Sequence, residues 1–202
     1  MIERIPSIAG VILAAGASSR MGQDKALLPW HGETLLAATI EMLKPVAEFW
    51  IVVAGANFQT LAPVVYARGG FIVENSDPGA GQFSSLRVGV QAVLNRGRDA
   101  AVIALVDRPP ALPATIAELH KSFINALGRD KWALIPEHSG QHGHPIFVGR
   151  EMIEAFLRAD AGSTARDVEH AHLDRIEYHT VSDANVIMNI NTPAEYNAIE
   201  GS

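Results

Sequence analysis

Two cations, one carboxylate and a run of small residues stand where polyphosphate chemistry would need them. The segment Gly16-Ala-Ser-Ser-Arg-Met-Gly22 follows directly on the apolar run Ile8 to Ala15. Backbone N–H groups of a small-residue loop leaving a strand can converge on phosphate oxygens, and short side chains such as Ser18 permit close approach. Arg20 and Lys25 are fixed cations able to neutralise a triphosphate and stabilise departing pyrophosphate. Spacing argues against two familiar versions of the device. A P-loop needs four residues between its glycines and then Lys-Ser/Thr, whereas five separate Gly16 from Gly22 and Gln23 follows. The dinucleotide fingerprint G-x-G-x-x-G also fails here. The bland alternative is a glycine-rich connection with two solvated cations.

Other residues could complete such a site. Asp107 ends the apolar run Ala101 to Val106 and precedes Pro109, which puts a carboxylate at a strand's carboxyl end, where a magnesium ion could meet a nucleotide. An isolated Asp there can equally cap a helix. Arg108 either touches an acidic substrate or is solvated. Ser84 or Ser85 is suited to cap the helix that follows Gly79-Ala-Gly81, and Arg87 either extends phosphate contacts or lies on the surface. His138, His142 and His144 share one Gly-containing loop but lack a strong zinc spacing, so polar surface is the better reading. In Asn189-Ile-Asn-Thr-Pro193, Asn191 or Thr192 is placed to cap a helix with Pro193 in its first turn. Asp183 has no motif to support it.

The elements that must position these residues alternate. Strand-like runs cover Ile8 to Ala15, Phe49 to Ala54, Phe71 to Glu74 and Ala101 to Val106. Helical spacing of apolar residues marks Thr34 to Leu43, halted by Pro45, then Ser84 to Leu94 and Pro113 to Leu127, with Gly128 as a stop. Further strands are expected near Trp132 to Ile135, Ile146 to Val148 and Arg175 to Val181, with helices near Glu151 to Leu157 and Pro193 to Ile199. The unbroken apolar character of Ala101 to Val106 suits a central parallel strand covered on both faces. The expected fold is therefore a single-domain α/β structure over 1–202: a mostly parallel open sheet with helices on both faces and a small antiparallel addition after Gly128. Ligands of such sheets bind at the strands' carboxyl ends, where the loop after Ala15, the loop after Val106 and the segment before Ser84 converge.

Bulk properties narrow the function. A net charge of −6 argues against sequence-independent binding to nucleic acid or an anionic membrane. The absence of cysteine excludes a disulfide framework, a thiolate nucleophile and Cys-ligated zinc, and is compatible with a reducing cytoplasm. The start Met1-Ile-Glu-Arg-Ile-Pro6 lacks the features of a secretory signal, and no apolar run reaches membrane-spanning length. A soluble, cytoplasmic protein is expected.

The stretch Leu13-Ala-Ala-Gly-Ala-Ser-Ser-Arg-Met-Gly-Gln-Asp-Lys-Ala-Leu-Leu-Pro29 resembles the signature of the MobA-like nucleotidyltransferases, which have a Rossmann-like fold. Its Ala14-Ala15-Gly16 looks more like the molybdenum cofactor cytidylyltransferases than the guanylyltransferases, which usually carry Leu-Ala-Gly-Gly. The resemblance implies that the backbone of Leu13, Ala14 and Ala15 faces the base, that the loop from Gly16 through Ser18 to Gly22 wraps the phosphates, and that Arg20 and Lys25 contact them. It implies magnesium on Asp107, within Asp107-Arg-Pro109, and places Gly81 and Ser84 beside base and ribose. His144, in Gly143-His-Pro145, lines the acceptor side, with Arg108 a second candidate there. Where the cytidylyltransferases usually read Asp-Ile-Asp-Thr-Pro, this chain has Asn189 and Asn191, closer to the guanylyltransferases. An amide oxygen such as that of Asn191 can ligate magnesium or orient a phosphate but brings no charge. The implied reaction is magnesium-dependent transfer of a nucleoside monophosphate from a triphosphate, CTP by preference, to a terminal phosphate of molybdopterin or its metal-loaded form. Transient contact with a molybdoenzyme or its chaperone is a further expectation. Guanylyl transfer, transfer to a sugar phosphate, and a non-catalytic nucleotide-binding regulator or cofactor chaperone are the alternatives; a dinucleotide-dependent oxidoreductase is disfavoured by the failed fingerprint.

Overall fold

Every residue of β1 (Ile8–Leu13) is buried, as its uninterrupted apolar sequence requires when both faces of a strand are covered. The computed structural model describes residues 6–16 and 21–200. A hairpin of β2 (Pro29–Trp30) and β3 (Glu33–Thr34) leads to α1 (Leu35–Leu43), then β4 (Phe49–Ala54), α2 (Phe58–Ala67), β5 (Phe71–Glu74), α3 (Gln82–Asn95), β6 (Ala100–Leu105) and α4 (Pro113–Leu127). The second half adds β7 (Ala133–His138), β8 (Gln141–His142), β9 (Ile146–Gly149), α5 (Arg150–Arg158), α6 (Ala165–Ala171), β10 (Ile176–Thr180) and α7 (Pro193–Glu200).

The main sheet runs β10-β7-β9-β6-β1-β4-β5, with β8 beside β7. β1 is parallel to both β4 and β6, while β9 is antiparallel to β6 and β7. The strands after Gly128 thus prolong the main sheet, and the antiparallel part is β9 with the short β8. Strand alternation separates two cores. Ile12, Val52 and Ala104 join residues of α1, α2 and α4 on one face, and Val11, Ile51 and Ile103 join α3 and α5 on the other, the period-2 pattern of a sheet covered twice.

Two helices escape the sequence reading. Pro63 lies inside α2, where proline normally signals a break. The seven-residue α6 is too short for a clear apolar period, yet its capping box of Thr164 and Asp167 was a readable start signal.

The chain moves outward from β1 to β4 and β5, then crosses to β6 on the other side of β1. This reversal opens a crevice at the carboxyl ends of β1 and β6, the position at which doubly wound sheets bind ligands.

Candidate functional site

Both strands that flank the crevice deliver their loops in register. Leu13 pairs with Leu105, Val106 N–H donates to the Leu13 carbonyl (3.2 Å), and Ala14 N–H donates to the Val53 carbonyl (2.8 Å). The resulting cavity of about 160 Å³ is lined by Leu13, Ala14, Ala15, Gly16, Asp24, Lys25, Gly81, Gln82, Ser85 and Asp107, among others. Ser18 and Arg20 lie outside the described residues. Gly22 has φ +69°, a left-handed conformation that glycine adopts without steric cost.

The far end of the loop is anchored from three directions. Asp24 accepts from Ala26 N–H (3.0 Å) and so caps the 3-10 turn Lys25–Leu27. Met21 and Leu28 sink into a small apolar cluster with Trp30, Leu35, Ile190 and Tyr196, which brings the segment before α7 against the loop. Ile190 N–H donates to the Asp107 carbonyl (2.7 Å). Lys25, Asp107 and Asn191 are thereby gathered: the Lys25 ammonium donates to Asn191 Oδ1 at 3.0 Å and stands 3.7 Å from Asp107 Oδ2. Thr192 performs the capping, since its hydroxyl accepts from Glu195 N–H (3.2 Å). Glu195 in turn accepts from the backbone of Asn191 (2.7 Å) and Thr192 (2.9 Å), bonds that hold its carboxyl below the usual range. The side chain of Asn191 is left to face Lys25.

Asp107 and Asn191 fit a magnesium ion by chemistry. Both offer hard oxygen donors, and magnesium is commonly held by one or two carboxylates with the remaining positions taken by water and substrate phosphates. Among the described residues no group of three or more His, Cys, Asp or Glu is arranged to hold a metal.

On the opposite wall, α3 starts at Gln82 with Gly81 as its cap residue (φ +96°). Neither serine caps it. Ser84 is in the first turn and its hydroxyl turns back to the Gly81 carbonyl (2.8 Å), so Ser85 rather than Ser84 lines the cavity. Buried Asn75, unnoticed in the sequence, donates to both hydroxyls (2.7 and 2.9 Å) and accepts from Asp77 N–H (3.0 Å). Arg87 points elsewhere, donating to the Leu157 carbonyl (3.0 Å).

A second hollow of about 880 Å³ opens beyond Leu13, Gly81 and Gln82, which line both spaces. His144 lines it, together with His142, Tyr178 and Glu169. The rings of His142 and Tyr178 are stacked at 4.0 Å. Burial, with Arg108 nearby, pushes the His144 imidazole down to about 3, so it is neutral at physiological pH, and its Nδ1 is buried without a hydrogen-bond partner. Burial raises Glu169, against the pull of Arg166. Arg108 does not line this hollow. Its guanidinium donates to the Val186 carbonyl (2.8 Å) within a narrow crevice beside Met42 and His144, so it is not a freely solvated cation. Asp183 is structural, accepting from Leu112 N–H (2.7 Å) and Asn185 N–H (3.0 Å). The histidines of the loop diverge: His138 meets the Val181 carbonyl, while His142 and His144 take the stacked and buried positions above.

A cavity at the sheet's switch point, a lysine held between an amide oxygen and a carboxylate, and an adjoining hollow stand together here. Residues 10–176 match the MobA-like NTP transferase domain. The chain belongs to this family. Among curated relatives, nicotine blue oxidoreductase of Paenarthrobacter nicotinovorans is 32% identical over 79% of this chain and 80% of its own length. Molybdenum cofactor cytidylyltransferase of Escherichia coli K12 is 27% identical over 92% of each. Rv0371c of Mycobacterium tuberculosis H37Rv, whose structure in complex with manganese aligns with a TM-score of 0.77 at 23% identity, covers 97% of this chain with 99% of its own. The MobA-like NTP transferase chain thus shares its fold with a manganese-binding protein. No helix of the described residues is long and apolar enough to cross a membrane.

Proposed function

We propose that this single-domain chain transfers a nucleoside monophosphate, with CTP as donor, to the terminal phosphate of molybdopterin or the molybdenum cofactor. The observation that carries the reading is the meeting of Lys25, Asp107 and Asn191 at the sheet's switch point. Ala14-Ala15-Gly16 and the Escherichia coli relative support CTP, while Asn191 is the feature that leans toward GTP. The adjoining hollow is large enough for an acceptor. Glu169 lines it, and a partly buried carboxylate of this kind suits an acceptor edge that carries N–H donors, as a pterin does.

Positioning and charge neutralisation suffice for such a transfer, and no side-chain nucleophile is required. An acceptor phosphate oxygen bonds to the donor's α-phosphorus as the bond from that phosphorus to the bridging oxygen breaks, and pyrophosphate leaves with the electron pair. Lys25 and Arg20 neutralise the departing charge. Asp107 and Asn191 would hold magnesium, which supplies Lewis-acid neutralisation of phosphate oxygens when bound. The backbone of Leu13 to Ala15 faces the base, and the neutral His144 offers a hydrogen bond to the acceptor.

The test is to incubate the protein and magnesium with each nucleoside triphosphate plus molybdopterin or a sugar phosphate and to measure pyrophosphate. Release with CTP and molybdopterin is expected. Release with GTP would change the donor, and release with a sugar phosphate would change the acceptor. Nucleotide binding with no release under any pairing would leave a regulator or cofactor chaperone. A second reading has one observation in its favour, the oxidoreductase name of the Paenarthrobacter relative. Oxidation of NADH or NADPH by the protein, without pyrophosphate release, would select it.

A further inference from the structure

Asn57 occupies the residue that precedes α2, where asparagine is among the preferred capping residues, yet its side chain makes no capping bond. It turns instead toward the loop behind the nucleotide cavity. Its Nδ2 donates to the Ala14 carbonyl (2.9 Å) and to Asp24 Oδ2 (2.7 Å), and its Oδ1 accepts from Gly55 N–H (3.0 Å). Ala14 and Asp24 both line the cavity, whereas Asn57 stands behind its wall. The other oxygen of Asp24 accepts from Ala26 N–H, so the bonds run from the end of β1 to the turn that presents Lys25.

We infer that Asn57 is a positioning residue that pins together the two ends of the phosphate loop, setting the distance between the base-facing backbone at Ala14 and the ammonium of Lys25. A carboxamide meets the geometry because one nitrogen supplies two donors and the oxygen one acceptor. Aspartate has no donor when ionised and would face Asp24 with like charge, and serine or threonine has one hydroxyl proton to give. The effect on triphosphate rests on the nucleotidyl-transfer reading; the pin itself does not.

The experiment compares wild type, Asn57→Ala, Asn57→Asp, and Asn57→Asp combined with Asp24→Asn, at a temperature where melting curves show all four folded. Amide exchange is followed in peptides covering residues 13–28, and the dissociation constant of magnesium–CTP is measured directly. In Asn57→Ala, exchange in these peptides should quicken roughly tenfold, as for a locally opened segment. CTP binding should weaken by about tenfold, the order expected for a lost bond to a charged group. Asn57→Asp should be worse on both counts, and the added Asp24→Asn should recover part of the loss by restoring a donor between the two positions. A lower melting temperature with unchanged exchange and unchanged CTP affinity would overturn the inference, as would a double variant no better than Asn57→Asp. Should wild type bind no triphosphate, the nucleotidyl-transfer reading fails, and the exchange measurements still decide the pin.

Discussion

Lys25 stands between an amide oxygen and a carboxylate, 3.0 Å from Asn191 and 3.7 Å from Asp107, with its side chain 13% exposed. Enclosure of this kind strengthens electrostatic interactions relative to water, so in the proposed transfer this cation should contribute strongly to stabilising the leaving group. Lys25→Ala is expected to lower kcat by about 10²–10³-fold with little change in melting temperature. Steady-state kinetics beside a thermal melt will check it. Asn191→Asp adds a carboxylate to the oxygen donors at this point, and a magnesium titration of activity should show a lower half-saturating concentration. His144 gives a pH effect with a defined sign. Its folded-state value of about 3 lies below the ordinary histidine range, so between roughly pH 6.5 and 3 the unfolded chain binds the extra proton and stability falls as pH falls. His144→Gln should flatten this part of the melting-temperature profile; an unchanged slope would show that other groups carry it.

At the scale of elements, the closeness of α3 to β1 and β4 is set by Gly89. A Cβ there would come within 2.6 Å of Val11 Cγ1 and 3.0 Å of Val53 Cγ2. Replacing a helical glycine with alanine normally gains up to about 1 kcal/mol of helix propensity, but overpacking a filled core costs about 1–3 kcal/mol. The second effect wins. Gly89→Ala should lower the denaturant midpoint, and because α3 begins at the cavity wall, it should also raise the KM for the triphosphate. The contrast with Gly22 is instructive, for there a Cβ would meet nothing within 4 Å and the positive φ alone favours glycine.

At the scale of the whole molecule, the site depends on the meeting of residues from opposite ends of the described chain. The cluster of Met21, Leu28, Trp30, Leu35, Ile190 and Tyr196 holds the turn that presents Lys25 against the segment carrying Asn191, and the Tyr196 hydroxyl donates to the Pro29 carbonyl (2.5 Å). Tyr196→Phe should cost about 1 kcal/mol through that bond. Tyr196→Ala, which also empties an apolar site, should cost on the order of 3 kcal/mol and weaken triphosphate binding. Denaturant unfolding paired with CTP binding will separate the two; equal affinity in both variants would show that the cluster does not position the turn.

The sequence by itself determined what depends on neighbours a few positions apart. Pro113 and Gly128 bound α4 where local backbone chemistry places them, and the small-residue loop after β1 and the carboxylate after β6 were legible because strand ends and turns are written in local residue types. Only the tertiary structure decided which side chains meet. Lys25 and Asn191 are separated by 166 positions, and Asn57 and Ala14 by 43, distances over which no period or motif operates. One residue's step along α3 puts Ser85 in the cavity and leaves Ser84 bonded to Gly81. Arg108 donates a hydrogen bond to the Val186 carbonyl, which also accepts from His144 N–H. These choices follow from packing and from the need to satisfy buried polar groups, which act across the folded molecule.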